Sequence, residues 1–468
     1  MIVTDYAKGN DLKSTFEVVK KPYDFHNNVL LTRQKTYESN ARTYPRRVPF
    51  ALSKAEGIYV QDTEGRVYLD CLCGAGALAL GHNHPAVMRA MRKTLDDKVP
   101  LLTLDITTPV KDQFVRDMMD ALPEQLRSDM KIQFCSPSGA DAVEAALKLV
   151  KIATGKRGIL AFSGSYHGMT NGALSVTSMV SPRAAVPNLM ADVVFLPYPY
   201  SYRCPFGLGG QAGEQVSLHY IEQILSDPFS GIPPVAGIII EVIQGEGGVI
   251  PASDAWMRAL RELTYKYHIP LIVDEIQTGI GRTGAMFSFE HSGITPDVIL
   301  ISKSIGGSLP LSMILYNKAL DKWESGAHVG TFRGNQLAMA AGSAVLRTIK
   351  EEGLLENCST VGQYMFNRLL RLQDRYAFIG DVRGRGLMIG VEIVNPEGSP
   401  ECKTGCPVWP AMSLQLQQAC FRRGLIIELG GRGDSTARFL PPINIDLAIA
   451  DTILDIFESA IEELNENC

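Results

Sequence analysis

Three short apolar runs end in, or lead directly into, a side chain that can do chemistry. Glu241 lies near the end of residues 236–242 (A-G-I-I-I-E-V), Asp274 closes 270–274 (P-L-I-V-D), and Lys303 follows 298–302 (V-I-L-I-S). Lys303 sits in I-S-K-S-I-G-G. The apolar residues before it take water from its ammonium, which lowers its pKa and favours imine chemistry. The glycines after it let backbone or a ligand come close. Asp274 lies 29 positions earlier (303 − 274), in L-I-V-D-E-I-Q-T-G. An aspartate at a buried strand end needs a cationic partner. A protonated pyridine nitrogen is one such partner, and the pairing keeps the ring an effective electron sink.

A third element is 135–147, C-S-P-S-G-A-D-A-V-E-A-A-L. Ser138 reads as a helix N-cap, with Asp141 three residues later and strong helix formers beyond. Small residues at a helix mouth leave its free N–H groups open to a phosphate. Alone this is a capped helix; beside Lys303 and Asp274, Ser138, Gly139 and Ala140 become a phosphate cup. Downstream, the segment Tyr166-His167-Gly168-Met169-Thr170 offers a ring able to stack on a planar cofactor, although a core tyrosine fits equally well. One motif misleads. Gly74-Ala75-Gly76-Ala77-Leu78-Ala79 fits a G-x-G-x-x-A dinucleotide fingerprint. The chain then breaks at Gly81-His82-Asn83-His84-Pro85, and the acid expected about 20 residues on falls at Asp96 or Asp97, on a charged helix end. Dinucleotide binding is set aside.

The elements that must position these groups follow from periodicity. Short, continuous apolar runs suit parallel strands covered on both faces. Residues 256–267 between them carry a helical period. From about 80 to 340 the chain therefore reads as α/β with a mostly parallel sheet, whose ligands collect at the carboxyl ends of the strands. Residues 50–70 read as strand, turn and strand, with the turn at 62–65. Beyond 341, helices over 341–350 and 363–372 lead into apolar stretches at 386–392 and 424–428, a smaller α+β unit. Residues 396–408, rich in Gly, Pro and Cys, read as an irregular loop. The expected division is 1–79, an N-terminal segment joining the small domain; 80–340, the large domain; and 341–468, the C-terminal small domain.

The 468 residues are 46% hydrophobic and 20% charged, enough for two or three domains and a large core. A net charge of −5, with no long block of one sign, argues against nucleic acid and anionic membrane as partners. Residues 1–44 have no apolar stretch fit for a signal peptide, and no later run reaches membrane-spanning length. Of nine cysteines, Cys71 and Cys73 are one residue apart in spacing and Cys402 and Cys406 three, and neither pair has the second pair that zinc needs. No metal site is expected, and free thiols point to a reducing cytoplasm.

Taken together, these motifs resemble the class III aminotransferases, of fold type I among pyridoxal-phosphate enzymes. The resemblance runs from about Tyr44 to Asn467 and is most specific in D-E-I-Q-T-G-I-G-R-T-G (274–284) and I-S-K (301–303). It implies a large domain with a mostly parallel seven-stranded sheet and a smaller α+β domain. It implies that pyridoxal 5′-phosphate is held as a Schiff base on Lys303, with Asp274 on the pyridine nitrogen, Gln277 at the phenolic oxygen and Tyr166 stacked on the ring. Ser138, Gly139 and Ala140 hold the phosphate, and His167 and Glu241 belong to the same cofactor pocket. In this family a threonine of the second subunit completes the phosphate site. Gly330-Thr331-Phe332-Arg333-Gly334-Asn335 matches that motif, which makes Thr331 the candidate and implies a homodimer with shared active sites.

The resemblance extends to substrate handling. Arg438, in A-R-F-L-P-P, is similar to the arginine that binds an α-carboxylate. Glu246, in E-V-I-Q-G-E-G-G, is similar to the glutamate that covers it when the donor presents a far-end amine. A salt bridge of purely structural purpose is the competing reading. The ornithine-type members carry an arginine where this chain has Met169. Met169, with 101–111 (L-L-T-L-D-I-T-T-P-V-K) and 424–428 (G-L-I-I-E), is most similar to the diaminobutyrate–2-oxoglutarate branch. The alternatives are transfer from ornithine, N-acetylornithine or 4-aminobutyrate, an aminomutase or racemase of the same fold, and a non-catalytic relative.

Overall fold

The computed structural model describes residues 11–17, 28–398 and 405–466. Its centre is a seven-stranded sheet, in spatial order Met130–Phe134, Met313–Asn317, Val298–Ile301, Leu271–Asp274, Val235–Ile240, Gly158–Phe162 and Val193–Leu196. Only Met313–Asn317 runs against its neighbours; the other pairings are parallel. All residues of Val235–Ile240, Leu271–Asp274 and Val298–Ile301 are buried, as expected for strands covered on both faces. Helix Gly139–Thr154 covers one face with its Ala, Val and Leu stripe, and helix Asp254–Lys266 contributes Trp256, Met257 and Leu260 to the larger core.

Strand register brings the reactive residues together. Val273 pairs with Ile240 and Asp274 with Leu300. Glu241 therefore emerges beside Asp274, and Lys303 three residues beyond Leu300 on the same edge. Met130–Phe134 and Gly158–Phe162 end there too, delivering Ser138 and His167.

The apolar stretch 386–392 supplies the turn at Gly386 and most of the strand Met388–Ile393, which forms a hairpin with Ile379–Arg385. Residues 424–428 split at Ile427, because the chain changes sheets there. Leu425–Ile426 pairs in parallel with Val67–Asp70, whereas Glu428–Gly430 pairs antiparallel with Thr436–Phe439. The N-terminal strands Leu52–Glu56, Tyr59–Asp62 and Val67–Asp70 thus share a sheet with residues from the other end of the chain. The two expected helices are longer, Gln336–Glu351 and Leu354–Arg375. Within 396–408, residues 399–404, and with them Cys402, lie outside the described residues. No helix among the described residues is long and apolar enough to cross a membrane.

Candidate active site

Lys303 sits where the sheet edge meets a tight turn. The strand ends at Ile301, and Lys303 opens the 3₁₀ turn Lys303–Gly306 with φ +52°. A lysine in left-handed backbone is uncommon, and residues held there cluster at functional sites. Burial pushes its ammonium below the usual lysine range, against the opposing pull of Glu246 and Glu428.

Asp274 is 4% exposed, and its two oxygens have separate donors. Oδ1 accepts the Ile276 N–H at 3.0 Å, and Oδ2 accepts from Nδ1 of buried His167 at 2.7 Å. A carboxylate can only accept, so His167 carries its proton on Nδ1. Among the described residues no lysine or arginine pairs with Asp274. Next to it, Glu241 Oε1 accepts the Tyr166 N–H and Oε2 the Gly245 N–H, both at 2.9 Å. Burial raises the Glu241 carboxyl to about 7; Asp274 adds to the rise, while His167 and the two backbone donors oppose it. Glu241 thus ties the Tyr166 loop to the turn that carries Glu246.

Helix Gly139–Thr154 points its N-terminus at this edge. Ser138 Oγ accepts the Ala140 N–H at 3.3 Å, the expected cap. Asp141 reaches elsewhere: Oδ2 accepts the Ser136 N–H at 2.7 Å and lies 3.1 Å from His328 Nε2. Helix mouth and residue 328 are thereby joined. Gly168, at φ +130°, lets the His167 loop lie against the helix, since a Cβ there would come within 2.6 Å of the Ala140 Cβ.

Ser138, Gly139, Ala140, Tyr166, His167, Glu241, Glu246, Asp274, Gln277 and Lys303 all line one cavity of about 460 Å³, with Met169 among them. Arg438 is fully buried behind it. Its Nη1 and Nη2 donate to Glu246 Oε1 and Oε2, both at 3.0 Å. Burial raises the Glu246 carboxyl, but Arg438 and Lys303 outweigh that and hold it below the usual range. Thr331 is the exception: it is exposed and does not line this cavity.

Sequence reasoning missed two parts of the site. The segment Gly74–Gly76, set aside as a dinucleotide loop, braces Gln277 and the turn that carries Lys303. Its Ala75 carbonyl accepts from Gln277 Nε2 at 2.9 Å, and its Gly76 carbonyl accepts from Ser304 Oγ at 3.0 Å. Glu428 is the other. Its Oε2 lies 2.8 Å from Arg438 Nη2, and Oε1 accepts the Tyr44 hydroxyl at 2.9 Å. The motif G-L-I-I-E contained it, but no local signal tied it to Arg438.

An α/β chain that gathers a lysine, a histidine-bound aspartate and a helix mouth at the carboxyl edge of a mostly parallel sheet is a transferase of fold type I. The chain belongs to the class III aminotransferases, whose family profile matches residues 41–461. It is 51% identical to the diaminobutyrate–2-oxoglutarate aminotransferase of Rhizobium meliloti, covering 93% of this chain and 92% of that one. It is 47% identical to the enzyme of the same name from Haemophilus influenzae, covering 93% and 95%. Among solved structures it resembles an amine transaminase from an uncultivated Pseudomonas species in its pyridoxal-phosphate-bound form. The TM-score is 0.80 at 28% identity, over 91% of this chain and 98% of that one. A thermostable (S)-enantioselective omega-transaminase from Thermomicrobium roseum gives 0.82 at 27%, over 93% and 98%.

Proposed function

We propose that this aminotransferase moves the terminal amino group between L-2,4-diaminobutyrate and 2-oxoglutarate, reversibly giving L-aspartate 4-semialdehyde and L-glutamate. The observation that carries the reading is one cavity containing both Lys303 and a Glu246 carboxylate locked on a fully buried arginine. The names of the two relatives above support the donor and acceptor.

Pyridoxal 5′-phosphate fits the residues present. Asp274 accepts only from the Ile276 N–H and the His167 ring and has no lysine or arginine beside it among the described residues, which leaves it free to pair with a protonated ring nitrogen. The mouth of a 16-residue helix in the same cavity suits a phosphate. Bound there, the cofactor would link to Lys303 as a Schiff base and act as the electron sink for the transfer. Tyr166 would face the ring and Gln277 its phenolic edge. We extend the reading to a homodimer in which Thr331, exposed beside Val329 and Phe332 at 69% and 60% exposure, reaches the partner's phosphate site. We place the enzyme in the cytoplasm, a reducing compartment that suits buried thiols such as Cys71, Cys73 and Cys420.

The residues divide the work. With the cofactor bound, Lys303, whose ammonium burial disfavours, would be the base that carries a proton between carbons. In the donor half-reaction Glu246 covers Arg438, so no carboxylate is drawn to the guanidinium. In the acceptor half-reaction the keto acid's carboxylate takes the bidentate position. Glu246 is the partner that moves, since its side chain is 27% exposed while that of Arg438 is fully buried.

An absorption spectrum of the purified protein, before and after adding L-2,4-diaminobutyrate without keto acid, tests the proposal. A visible band that bleaches supports cofactor and donor together. A band that ignores diaminobutyrate but responds to ornithine or 4-aminobutyrate refutes the donor, and no band after adding pyridoxal phosphate refutes the cofactor.

A further inference from the structure

Arg438 has one positive charge and two carboxylates. Glu246 takes both of its Nη donors in a parallel fork, and Glu428 approaches Nη2 from the other side at 2.8 Å. Glu428 Oε2 nonetheless has no hydrogen bond among the described residues, and the side chain is only 7% exposed. Its other oxygen is fixed by the Tyr44 hydroxyl at 2.9 Å, from a residue that is itself 46% exposed. One carboxylate charge is therefore left over in a buried place. Burial and the neighbouring Glu246 raise the Glu428 carboxyl, with Arg438 opposing, which is how an under-compensated acid behaves. Lys303 is a second cation that acts on Glu428, and burial disfavours its ammonium. A buried, under-compensated carboxylate is costly unless a cation joins it.

Bracing Arg438 does not require this arrangement, because Glu246 alone already satisfies the fork. What the second carboxylate adds is a hydrogen-bond acceptor and a negative charge one guanidinium behind the cavity-lining Glu246, near enough to act on the charge of Lys303. A donor with two amino groups reacts through one and brings the other in as an ammonium. We propose that Glu428, steered by Tyr44, is the subsite that receives this second ammonium. It would make the enzyme choose a diamino acid over an ω-amino acid of equal length with a single amine. The inference rests on the donor reading above and deepens it: the donor is selected by its spare positive charge, not by chain length.

L-2,4-Diaminobutyrate and 4-aminobutyrate share a four-carbon chain and a terminal amine and differ by the α-amino group, so their ratio isolates the subsite. Single-turnover kcat/KM would be measured for both donors on holoenzyme of the wild type, Glu428→Gln and Tyr44→Phe. Glu428→Gln keeps the shape and removes the charge. It should lower the diaminobutyrate-to-4-aminobutyrate ratio about 10- to 100-fold, the worth of one charged hydrogen bond. Tyr44→Phe, at a half-exposed position that tolerates the change, should lower it several-fold in the same direction. A ratio preserved within about twofold in both variants, whatever the absolute loss, would show that Glu428 only braces Arg438 and overturn the subsite. If the wild type itself preferred 4-aminobutyrate, the donor reading would fall first and the subsite with it.

Discussion

Replacing Arg438 with lysine separates the two half-reactions. The guanidinium gives Glu246 two parallel N–H···O bonds of 3.0 Å, and a keto-acid carboxylate displacing Glu246 inherits both. Lysine keeps the charge but is a point donor that cannot span two oxygens. One charged hydrogen bond is lost, worth about 2 kcal/mol. At 1.4 kcal/mol per tenfold, kcat/KM for 2-oxoglutarate should fall roughly 30-fold. The donor half-reaction needs only that residue 438 stay covered by Glu246, and an ammonium can still be covered. Its kcat/KM should fall no more than about threefold. Rapid mixing of each half-reaction separately, followed by the cofactor's visible absorbance, gives both numbers. Melting curves with and without cofactor check that the variant is folded, since the arginine is wholly buried between two carboxylates. Equal losses in the two directions would refute the gate and leave Glu246–Arg438 a structural ion pair.

Three further substitutions test other parts of the site. Lys303→Ala should abolish the lysine-linked absorption band and cut single-turnover transamination at least about 10³-fold, since both nucleophile and proton carrier are lost; substantial residual transfer means a different lysine is used. Glu241→Gln should flatten the pH dependence of stability of the cofactor-free protein. The folded carboxyl keeps its proton up to about 7 whereas the unfolded one loses it near 4.5. The contribution to stability is therefore complete below about 4.5 and lost as pH rises through 7. A shift of 2.5 (7 − 4.5) corresponds to about 3 kcal/mol, which urea titrations at pH 5 and pH 8 would read. Wild type and variant sharing one slope would rule it out. Gly430→Ala should disturb Arg438 directly: a Cβ would sit 2.7 Å from Nε and 3.1 Å from Cζ of a guanidinium with no room to retreat. A loss of about tenfold in the 2-oxoglutarate half-reaction is expected, on the scale of one weakened charged contact; unchanged kinetics there would mean the pocket yields.

The large sheet and the inner part of the site could be read from sequence because both are local. Fully apolar runs of four to six residues mark buried parallel strands, and such strands end on one edge. An acid, an acid and a lysine at three successive ends therefore had to meet, as the register of Val273 with Ile240 and Asp274 with Leu300 bears out. Contacts between distant segments were not readable. Tyr44 and Glu428 are 384 positions apart and meet through one side-chain hydrogen bond. Glu428 also lies just past Ile427, where the chain leaves one sheet for another, and apolar patterning across G-L-I-I-E does not change at that point. The 74–76 segment failed for another reason: it contributes carbonyl oxygens, which no side-chain pattern records.

The charges around Lys303 give a physical reason for the proposed exchange of two carboxylates on one arginine. A lysine that takes a proton from one carbon and returns it to another works best with its pKa near the operating pH. Burial lowers it, Glu246, Glu428 and Asp274 raise it, and Arg438 lowers it further. In the proposed cycle Arg438 is never bare: Glu246 covers it while the donor reacts, and the acceptor's carboxylate covers it afterwards. One negative charge replaces another at nearly the same place, so the field at Nζ changes little between the two directions. A gate that left Arg438 uncovered in one half-reaction would drive the lysine's pKa down only there and slow proton return in that direction. In that proposed cycle, exchange of like charge lets one lysine serve both halves of a reversible transfer.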